Sequence, residues 1–133
     1  MARLRIDRLA PDAAPLEVGG RLLIERCHLA RTPIARAAGL LLTSDLGPGE
    51  ALWIPRCRAV HTLGMRIPIA CAFLDGRGVV LRVIDRLDPW RWAFQSGARA
   101  VVEALPGSFD ALAPGRRVRR GSSPGRRRRA ATR

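Results

Sequence analysis

The sequence contains no lysine, asparagine or tyrosine, and every one of its 24 basic residues is arginine. A bias this uniform is typical of a GC-rich coding sequence, so the abundance of arginine does not by itself indicate a function. With 11 acidic residues the formal net charge is +13. The excess lies at the C-terminus, because residues 1–115 hold 15 arginines and all 11 acids, a balance of +4.

The sequence also lacks the features of membrane and secreted proteins. No uninterrupted apolar run approaches the ~18 residues that a transmembrane helix needs, and the first residues, M-A-R-L-R-I-D-R, lack the apolar core of a signal peptide. The three cysteines (Cys27, Cys57 and Cys71) include no C-x-x-C pair, which argues against a disulfide framework. We therefore expect a cytoplasmic protein that binds no membrane and buries its cysteines as small apolar side chains.

Length and composition predict one domain with two tails. The 133 residues, 47% of them hydrophobic, are enough for one core. Residues 1–19 are rich in alanine and proline, so we expect a loosely ordered lead-in with a short strand at residues 4–9. Residues 20–115 are expected to form the globular domain. Residues 116–133 contain nine arginines and almost no apolar side chain, which predicts a disordered tail.

Strand signals outnumber helix signals in the predicted domain. Apolar or alternating patterns lie at residues 21–27, 51–54, 57–65, 69–75, 79–83 and 98–105. The D-G-R-G sequence at residues 75–78 predicts a β-hairpin, since Asp-Gly readily supplies the positive φ angles of such turns. Thr32 and Pro33 mark the start of a short helix. Short turns between strands predict an α+β fold that is compact, β-rich and mainly antiparallel, with one or two short helices.

An early strand and five phrases in order resemble the domain-of-unknown-function family 192, whose members are mostly bacterial and archaeal. The phrases are T-P-I-A-R-A-A-G-L-L-L (32–42), C-R-A-V-H-T-L-G-M-R-I-P-I (57–69), A-F-L-D-G-R-G-V-V (72–80), D-P-W-R (88–91) and A-R-A-V-V-E-A-L-P-G (98–107). The resemblance covers residues 20–119 and implies a compact β-rich domain with barrel-like curvature. It implies no reaction. Members often carry an aspartate after I-P-I, where this chain has Ala70.

Cys57 and His61 are the residues that first suggest catalysis or metal binding. On a strand, residues four apart lie roughly 13 Å from each other, too far to share a metal ion or to form a nucleophile–base pair. A small hydrolase that uses these two residues is therefore the least favoured reading, and no cofactor or metal is expected. A histidine packed against a backbone carbonyl is the ordinary alternative.

The second cluster joins arginine to tryptophan. We predict a ligand site formed by His61, Thr62, Arg66, Trp90 and Arg91, in which Gly64 and Pro68 bend the chain toward a common cleft. A guanidinium beside an indole could hold a small anion by paired hydrogen bonds. The alternative is structural: Trp90 fills the core and Arg91 pairs with an acid such as Asp88 or Glu103.

These patterns favour a small ligand-binding or partner-binding module without catalysis, with a small anionic ligand or a protein as its partner. The alternative is an accessory protein that binds nucleic acid nonspecifically through its tail. That reading rests on arginines at positions Arg116, Arg117, Arg119, Arg120, Arg126, Arg127, Arg128 and Arg129.

Overall fold

The computed structural model describes residues 2–32 and 46–121, which form one helix and nine strands. Their bounds are α1 Ala2–Leu9, β1 Ala13–Val18, β2 Arg21–Leu29, β3 Glu50–Pro55, β4 Ala59–His61, β5 Ile69–Leu74, β6 Val80–Leu87, β7 Trp92–Phe94, β8 Ala100–Ala104 and β9 Val118–Arg120. In this part of the chain, no helix is long and apolar enough to span a membrane. The short helix predicted from residue 32 lies almost wholly outside the described residues.

Seven strands form one mixed sheet in the order β6-β5-β8-β3-β2-β1-β9, and β4 pairs with β7 in a separate two-stranded sheet. The β2–β3 pair is parallel, and every other pair is antiparallel. The protein is therefore β-rich and mainly antiparallel, as predicted. The predicted hairpin also forms: residues 75–78 connect β5 to β6, and the amide of Asp75 donates to the carbonyl of Val79 at 2.9 Å.

The two outer ends of the large sheet lie next to each other without closing into a barrel. Val79 forms an isolated bridge with Arg117. The amide of Val80 donates to the carbonyl of Arg116 at 2.8 Å, and that of Val118 donates to Gly78 at 2.9 Å. Gly78 has a φ of +83°, and a Cβ there would lie 2.6 Å from the Val118 carbonyl oxygen. This position therefore requires glycine.

Apolar side chains cover both faces of the sheet. Ala72 of β5 and Val102 of β8 are paired and belong to one buried cluster, which also includes Leu16 of β1 and Val118 of β9. On the opposite face, Phe73 and Val101 pack with Val60 of β4. The small β4–β7 sheet thus contributes to the core on one of the two faces.

The expected strand at residues 4–9 is wrong, because this segment belongs to α1. Ile6 and Ala10 are both fully buried and are four residues apart, which is the spacing of one helical face. They pack with Leu52 and Ile54 of β3. A short L-x-I pattern fits strand or helix, and here packing on β3 decides for the helix.

The predicted boundaries at residues 20 and 115 left out two strands of the sheet. Strand β1 pairs with β2, and β9 pairs with β1. In the second pair, Leu16 lies opposite Arg120 and Val18 lies opposite Val118. Val118 is buried. The disorder predicted from residue 116 is therefore wrong for residues 116–120, and residues 122–133 lie outside the described part. A single buried valine between arginines was too weak a signal to indicate a strand.

Arg120 joins the last strand to the start of the chain. Its Nε donates to the carbonyl of Cys27 at 2.9 Å, and its Nη2 donates to Asp12 Oδ1 at 2.9 Å and to the Asp12 carbonyl. Asp12 also accepts a hydrogen bond from Arg31 at 2.5 Å. The hydrogen bond from Arg120 is the main reason why the pKa of Asp12 lies below its usual range. The C-terminal strand is thus held by a partly buried, charge-assisted pair.

We expect Arg120→Ala to lower the free energy of unfolding by roughly 2–4 kcal/mol, because it leaves the Asp12 carboxylate and the Cys27 carbonyl without this donor. Arg119→Ala is the matched control, since Arg119 is an exposed neighbour on the same strand. Urea unfolding of both variants measures the difference. Equal stability of the two variants would contradict the assigned role of Arg120.

The same pair predicts a pH dependence. A carboxylate whose folded pKa is lowered stabilises the fold above its unfolded pKa of about 3.9, and this stabilisation is lost as the pH falls through the folded pKa. In Asp12→Asn, the loss of stability on acidification below about pH 4 should therefore be smaller than in the wild type. Urea unfolding between about pH 2 and 6 measures it, with Asp85→Asn, an exposed β6 residue, as control. Parallel curves for wild type and Asp12→Asn would rule out this contribution.

Candidate functional site

The structure brings most of the predicted site residues to one region but gives Thr62 a different environment. His61, at the end of β4, is exposed and lies opposite Trp92 of β7. Arg66 and Arg91 are also exposed, whereas Thr62 is fully buried. The chain does turn after β4, as the glycine at position 64 predicted: the amide of Met65 donates to the Thr62 carbonyl at 3.1 Å, and Gly64 has a φ of +82°.

Thr62 holds the turn that carries Trp90 and Arg91. Its Oγ1 donates to the carbonyl of Asp88 at 2.5 Å and accepts from the amide of Arg91 at 3.0 Å. Its backbone amide donates to the Arg91 carbonyl at 2.7 Å, and its carbonyl accepts from the Trp90 amide at 3.0 Å. The hydroxyl is therefore already used within the fold, and Thr62 orients neighbouring residues instead of contacting a ligand.

Trp90 does not fill the core, which corrects the structural alternative. Its side chain is 66% exposed, and its φ is +63°, a conformation that non-glycine residues rarely adopt. The carboxylate of Asp88 accepts from Arg86 Nε at 2.7 Å, so this acid pairs with Arg86. The role of His61, Arg66 and Arg91 in ligand binding stays a prediction.

The small sheet has one buried and one exposed face. Val60 and Ala93 are paired and turn toward the core, while Trp92 and Phe94 alternate with Ala93 and are exposed. Because directly paired residues share a face, His61 lies on the exposed face with Trp92. Strand β7 is not among the strands that the sequence predicted.

The cysteines fit a structural role better than a catalytic one. Cys27 and Cys71 are buried, as predicted, and burial raises the pKa of each thiol to about 12. Cys57 was expected to be buried as well but is partly exposed, and its Sγ donates to the carbonyl of Ala59 at 3.1 Å. Among the described residues, no group of three His, Cys, Asp or Glu side chains could hold a metal ion.

An arginine-lined cavity of about 400 Å³ lies where the two ends of the sheet meet. The end of β3, the β5–β6 hairpin, the start of β8 and strand β9 all contribute to its wall. The lining residues are Trp53, Pro55, Arg56, Asp75, Gly76, Arg77, Gly78, Arg99, Ala100, Arg117, Val118, Arg119 and Arg120. Six of these are arginines and one is an acid, so the cavity is strongly electropositive.

Hydrogen bonds within the wall fix two of the charged groups. Arg117 Nε donates to the carbonyl of Arg77 at 2.9 Å, which holds β9 against the hairpin. Asp75 Oδ1 accepts from the amides of Arg77 at 2.8 Å and Val79 at 2.9 Å. These two amides, with Val79 the larger influence, lower the pKa of Asp75. The carboxylate is thus used by the hairpin and offsets only part of the arginine charge.

A second cavity of about 560 Å³ adjoins the first. It is lined by Arg56, Cys57, Arg58, Gly97, Ala98 and Arg99, so Arg56 and Arg99 belong to both cavities. Arg56 has a φ of +52°. In the described part of the chain, Arg56 and Trp90 are the two non-glycine residues with positive φ. Such conformations persist where the surroundings hold them, often at functional positions.

Sequence reasoning missed this arginine-lined cavity. The available signal was I-P-R-C-R at residues 54–58, where a proline ends a strand and two arginines follow. The approach of this segment to the D-G-R-G hairpin and to β9 depends on strand order, which no local pattern reveals. Assigning residues 116–120 to a disordered tail also made Arg117 and Arg119 candidates for nucleic-acid binding by the tail and not for a cavity in the folded domain.

A buried polar pair was missed as well. His28 Nδ1 lies 2.9 Å from the carbonyl of Ala10 and must donate to it, and His28 Nε2 lies 2.9 Å from Glu50 Oε2. The other carboxylate oxygen accepts from the Gly47 amide at 3.0 Å. The pair joins the end of α1 to β2 and β3 and lines neither arginine-rich cavity. It therefore serves the fold.

The assigned role of Thr62 leads to a stability prediction. We expect Thr62→Val, which keeps the branched shape and removes the hydroxyl, to lower the free energy of unfolding by about 1–3 kcal/mol, because the partly buried Arg91 amide loses its acceptor. Thr62→Ser keeps the hydroxyl and should cost less. Urea unfolding compares the two. A valine variant as stable as the serine variant would show that the hydroxyl does not hold the turn.

Two solved structures resemble this chain. A protein of unknown function from Novosphingobium aromaticivorans DSM 12444 is 23% identical with a TM-score of 0.67, covering 80% of this chain and 84% of its own. A protein from Sinorhizobium meliloti 1021, described as a "putative transcription regulator", is 18% identical with a TM-score of 0.68, covering 82% and 94%. At these identities the likeness establishes the fold alone.

No curated protein shows significant similarity to the chain. The model of family DUF192, described as Uncharacterized ACR, COG1430, matches residues 15–120. This span includes every strand from β2 to β9 and all the residues of both arginine-lined cavities. The chain belongs to the DUF192 family.

Proposed function

We propose that the protein is a binding module for small anionic ligands, and that the arginine-lined cavity holds the ligand. The observation that carries the proposal is the convergence of Arg56, Arg77, Arg99, Arg117 and Arg119 on one cavity whose single carboxylate, Asp75, already accepts two backbone hydrogen bonds. Arg120 also lines the cavity but is engaged with Asp12.

The chemistry of the wall suits a carboxylate or a phosphate. A guanidinium presents paired donors that match the oxygens of both groups, and such charge-assisted bonds are the stronger kind. A volume of about 400 Å³ lies within the range of ordinary ligand sites. Trp53 adds an indole to the arginine-rich wall. The combination of arginine and indole expected at residues 90 and 91 thus also occurs here, on different elements.

The proposal includes the barrel-like curvature that the family resemblance implies. The contact between residues 78–80 and 115–118 supports it, because the two edges of a sheet can meet only if the sheet curves. The cavity would then lie at one end of the curved sheet. Loops at the end of a rigid β scaffold commonly carry binding residues.

A binding role without catalysis accounts for more of the observations than a hydrolase does. A nucleophile needs a base within hydrogen-bond reach and a third group that orients the base. The Cys57 thiol instead donates to the carbonyl of Ala59. His61 lies on the exposed face of the small sheet, opposite Trp92.

Nucleic-acid binding through the C-terminal arginines is the second candidate function. It is favoured by the excess of arginine after residue 115 and by the description of the Sinorhizobium meliloti protein as a transcription regulator, although that description concerns that protein alone. Four of the nine arginines belong to the folded part, and Arg120 among them is used within it. The remaining five arginines of this segment are Arg126 to Arg129 and Arg133.

Titration calorimetry with inorganic phosphate, pyrophosphate and citrate tests the leading function. We expect at least one of these anions to bind the full chain, and Arg99→Gln to weaken that binding by about ten- to a hundredfold, the effect of losing a charged hydrogen-bond donor. Arg86→Gln is the control. It removes the same charge from an exposed position whose arginine pairs with Asp88.

The comparison of the two variants decides the site. Both have the same net charge, so nonspecific attraction by the arginine-rich chain weakens equally in each. If Arg99→Gln and Arg86→Gln bind the anions alike, the cavity is not the site. If no anion binds the wild type, the proposed function is wrong.

A further inference from the structure

Four exposed apolar side chains cluster around the small β4–β7 sheet. In the described part of the chain, five large hydrophobic side chains are exposed, and four of them are Leu63 (46%), Trp90 (66%), Trp92 (72%) and Phe94 (52%). All four lie within or beside β4 and β7. Exposed apolar patches of this kind commonly mark interaction sites. We define the aromatic surface as His61, Trp90, Trp92 and Phe94.

The fold holds these rings outward. Trp92 and Phe94 lie on a strand that pairs with β4, and the inner side of that pair packs on the core through Val60 and Ala93. Trp90 projects from the turn that the Thr62 hydroxyl holds, at a positive φ. An exposed indole kept in a strained backbone conformation is not explained by core packing. The rings are therefore accessible to a partner, on backbone segments that the fold holds in place.

The surroundings of the aromatic surface are positively charged. Residues 56–66 and 88–99 contain five arginines and one acid, Asp88, whose carboxylate is paired with Arg86. Arg82 Nη1 donates to the carbonyl of Phe94 at 3.4 Å, which brings a further guanidinium to β7. Aromatic faces bordered by arginine suit a partner with flat rings and negative charge.

The aromatic surface also adjoins the arginine-lined cavities. Arg58, which lines the second cavity, immediately precedes β4, and its carbonyl accepts from the amide of Gln95 at 3.0 Å, next to Phe94. Arg56 and Arg99 line both that cavity and the first. Anion-binding groups therefore run from the meeting point of the sheet ends to the aromatic rings.

From this arrangement we infer that the protein binds single-stranded nucleic acid: bases stack on Trp90, Trp92 and Phe94, and phosphates lie along Arg58, Arg56 and Arg99. The inference rests on the proposed anion-binding function and extends it from small anions to a strand of linked phosphates. Proteins that bind single strands combine a positive groove with aromatic rings in this way. Alternate residues of a strand are about 7 Å apart, which gives Trp92 and Phe94 separate rings for successive bases.

The charge of the chain argues against the other occupants. A second copy would bring two surfaces rich in arginine together, at a formal net charge of +13 on each chain. An acidic peptide would match the arginines but would leave most of the aromatic area without flat rings to stack on. Every nucleobase has such a face, so the binding should tolerate sequence changes.

The experiment compares two fluorescently labelled 12-mers by anisotropy: oligothymidylate and an abasic strand with the same phosphates and no bases. Attraction by the C-terminal arginines and the cavities acts on both strands alike, because it depends on phosphate charge. Their affinity ratio therefore isolates stacking. For the full-length wild type we expect oligothymidylate to bind at least about fivefold more tightly, the lower end of the effect of stacking one base.

The double variant Trp92→Ala/Phe94→Ala should lower that ratio markedly, to what Trp90 alone supplies, while leaving the affinity for the abasic strand unchanged. Leu22→Ala is the matched control, since Leu22 is also exposed and apolar but lies on β2, and it should keep the wild-type ratio. Arg99→Gln should lower the affinity for both strands by the same factor and so keep the wild-type affinity ratio. Circular dichroism of each variant verifies folding.

The outcomes separate this inference from the proposed function. Equal affinity of the wild type for the two strands overturns base stacking. The proposed anion binding is then decided separately, by calorimetry of pyrophosphate with the wild type and Arg99→Gln. A preserved ratio in the folded double variant also overturns the inference. If a labelled decaglutamate peptide binds, loses affinity in the double variant and outcompetes oligothymidylate, the partner is an acidic protein segment and the inference is wrong.

Discussion

The side chain of Arg120 determines where the last strand lies. It donates to the carbonyl of Cys27 and to Asp12, and so fastens β9 to β1 and β2. Because β9 is fixed there, residues 115–118 can reach the β5–β6 hairpin, where only a glycine at position 78 allows the close approach of Val118. One partly buried ion pair and one glycine thus bring the outer ends of a seven-stranded sheet together.

The candidate cavity follows from this contact. Arg119 lies on β9 and Arg117 directly before it, and Arg77 lies in the hairpin. Arg56 directly follows β3, and Arg99 directly precedes β8. These groups come from separate parts of the sequence, and their convergence costs electrostatic free energy because like charges repel. A protein that needed only a stable fold would gain by spacing these guanidiniums apart. The observed convergence is readily explained if an anion offsets the repulsion.

Local patterns predicted the parts of the fold that local chemistry determines. The D-G-R-G hairpin, the buried strand at Ile69–Leu74 and the turn at Gly64 depend on turn geometry and on continuous apolar runs, and all three are observed. The β-rich, mainly antiparallel organisation followed from them. Strand order, the inclusion of β1 and β9, and α1 in place of a strand depend on long-range contacts, which no short window of sequence contains. The predicted site shows the same division. Thr62 and Trp90 are neighbours, but Thr62 was expected to face the ligand and is buried, whereas Trp90, which the structural alternative placed in the core, is exposed. Polarity alone predicts the reverse, but the Thr62 hydroxyl satisfies backbone groups of the 88–91 turn, and its burial there is favourable.

Composition and position lead to different conclusions about the arginines. The absence of lysine shows that arginine is this chain's general basic residue, so its number carries little information. Position carries more. Arg120 is paired with Asp12 and Arg86 with Asp88, as expected of arginines that stabilise the fold.

Arg56 has a positive φ and lines both cavities, and Trp90 has a positive φ and lies beside β7. Strain at these two residues brings no evident gain to the core, and they lie on neighbouring surfaces that share the arginines of residues 56–58. A single extended anionic ligand that contacts both surfaces would account for both strained residues, whereas two unrelated ligands would require two separate explanations.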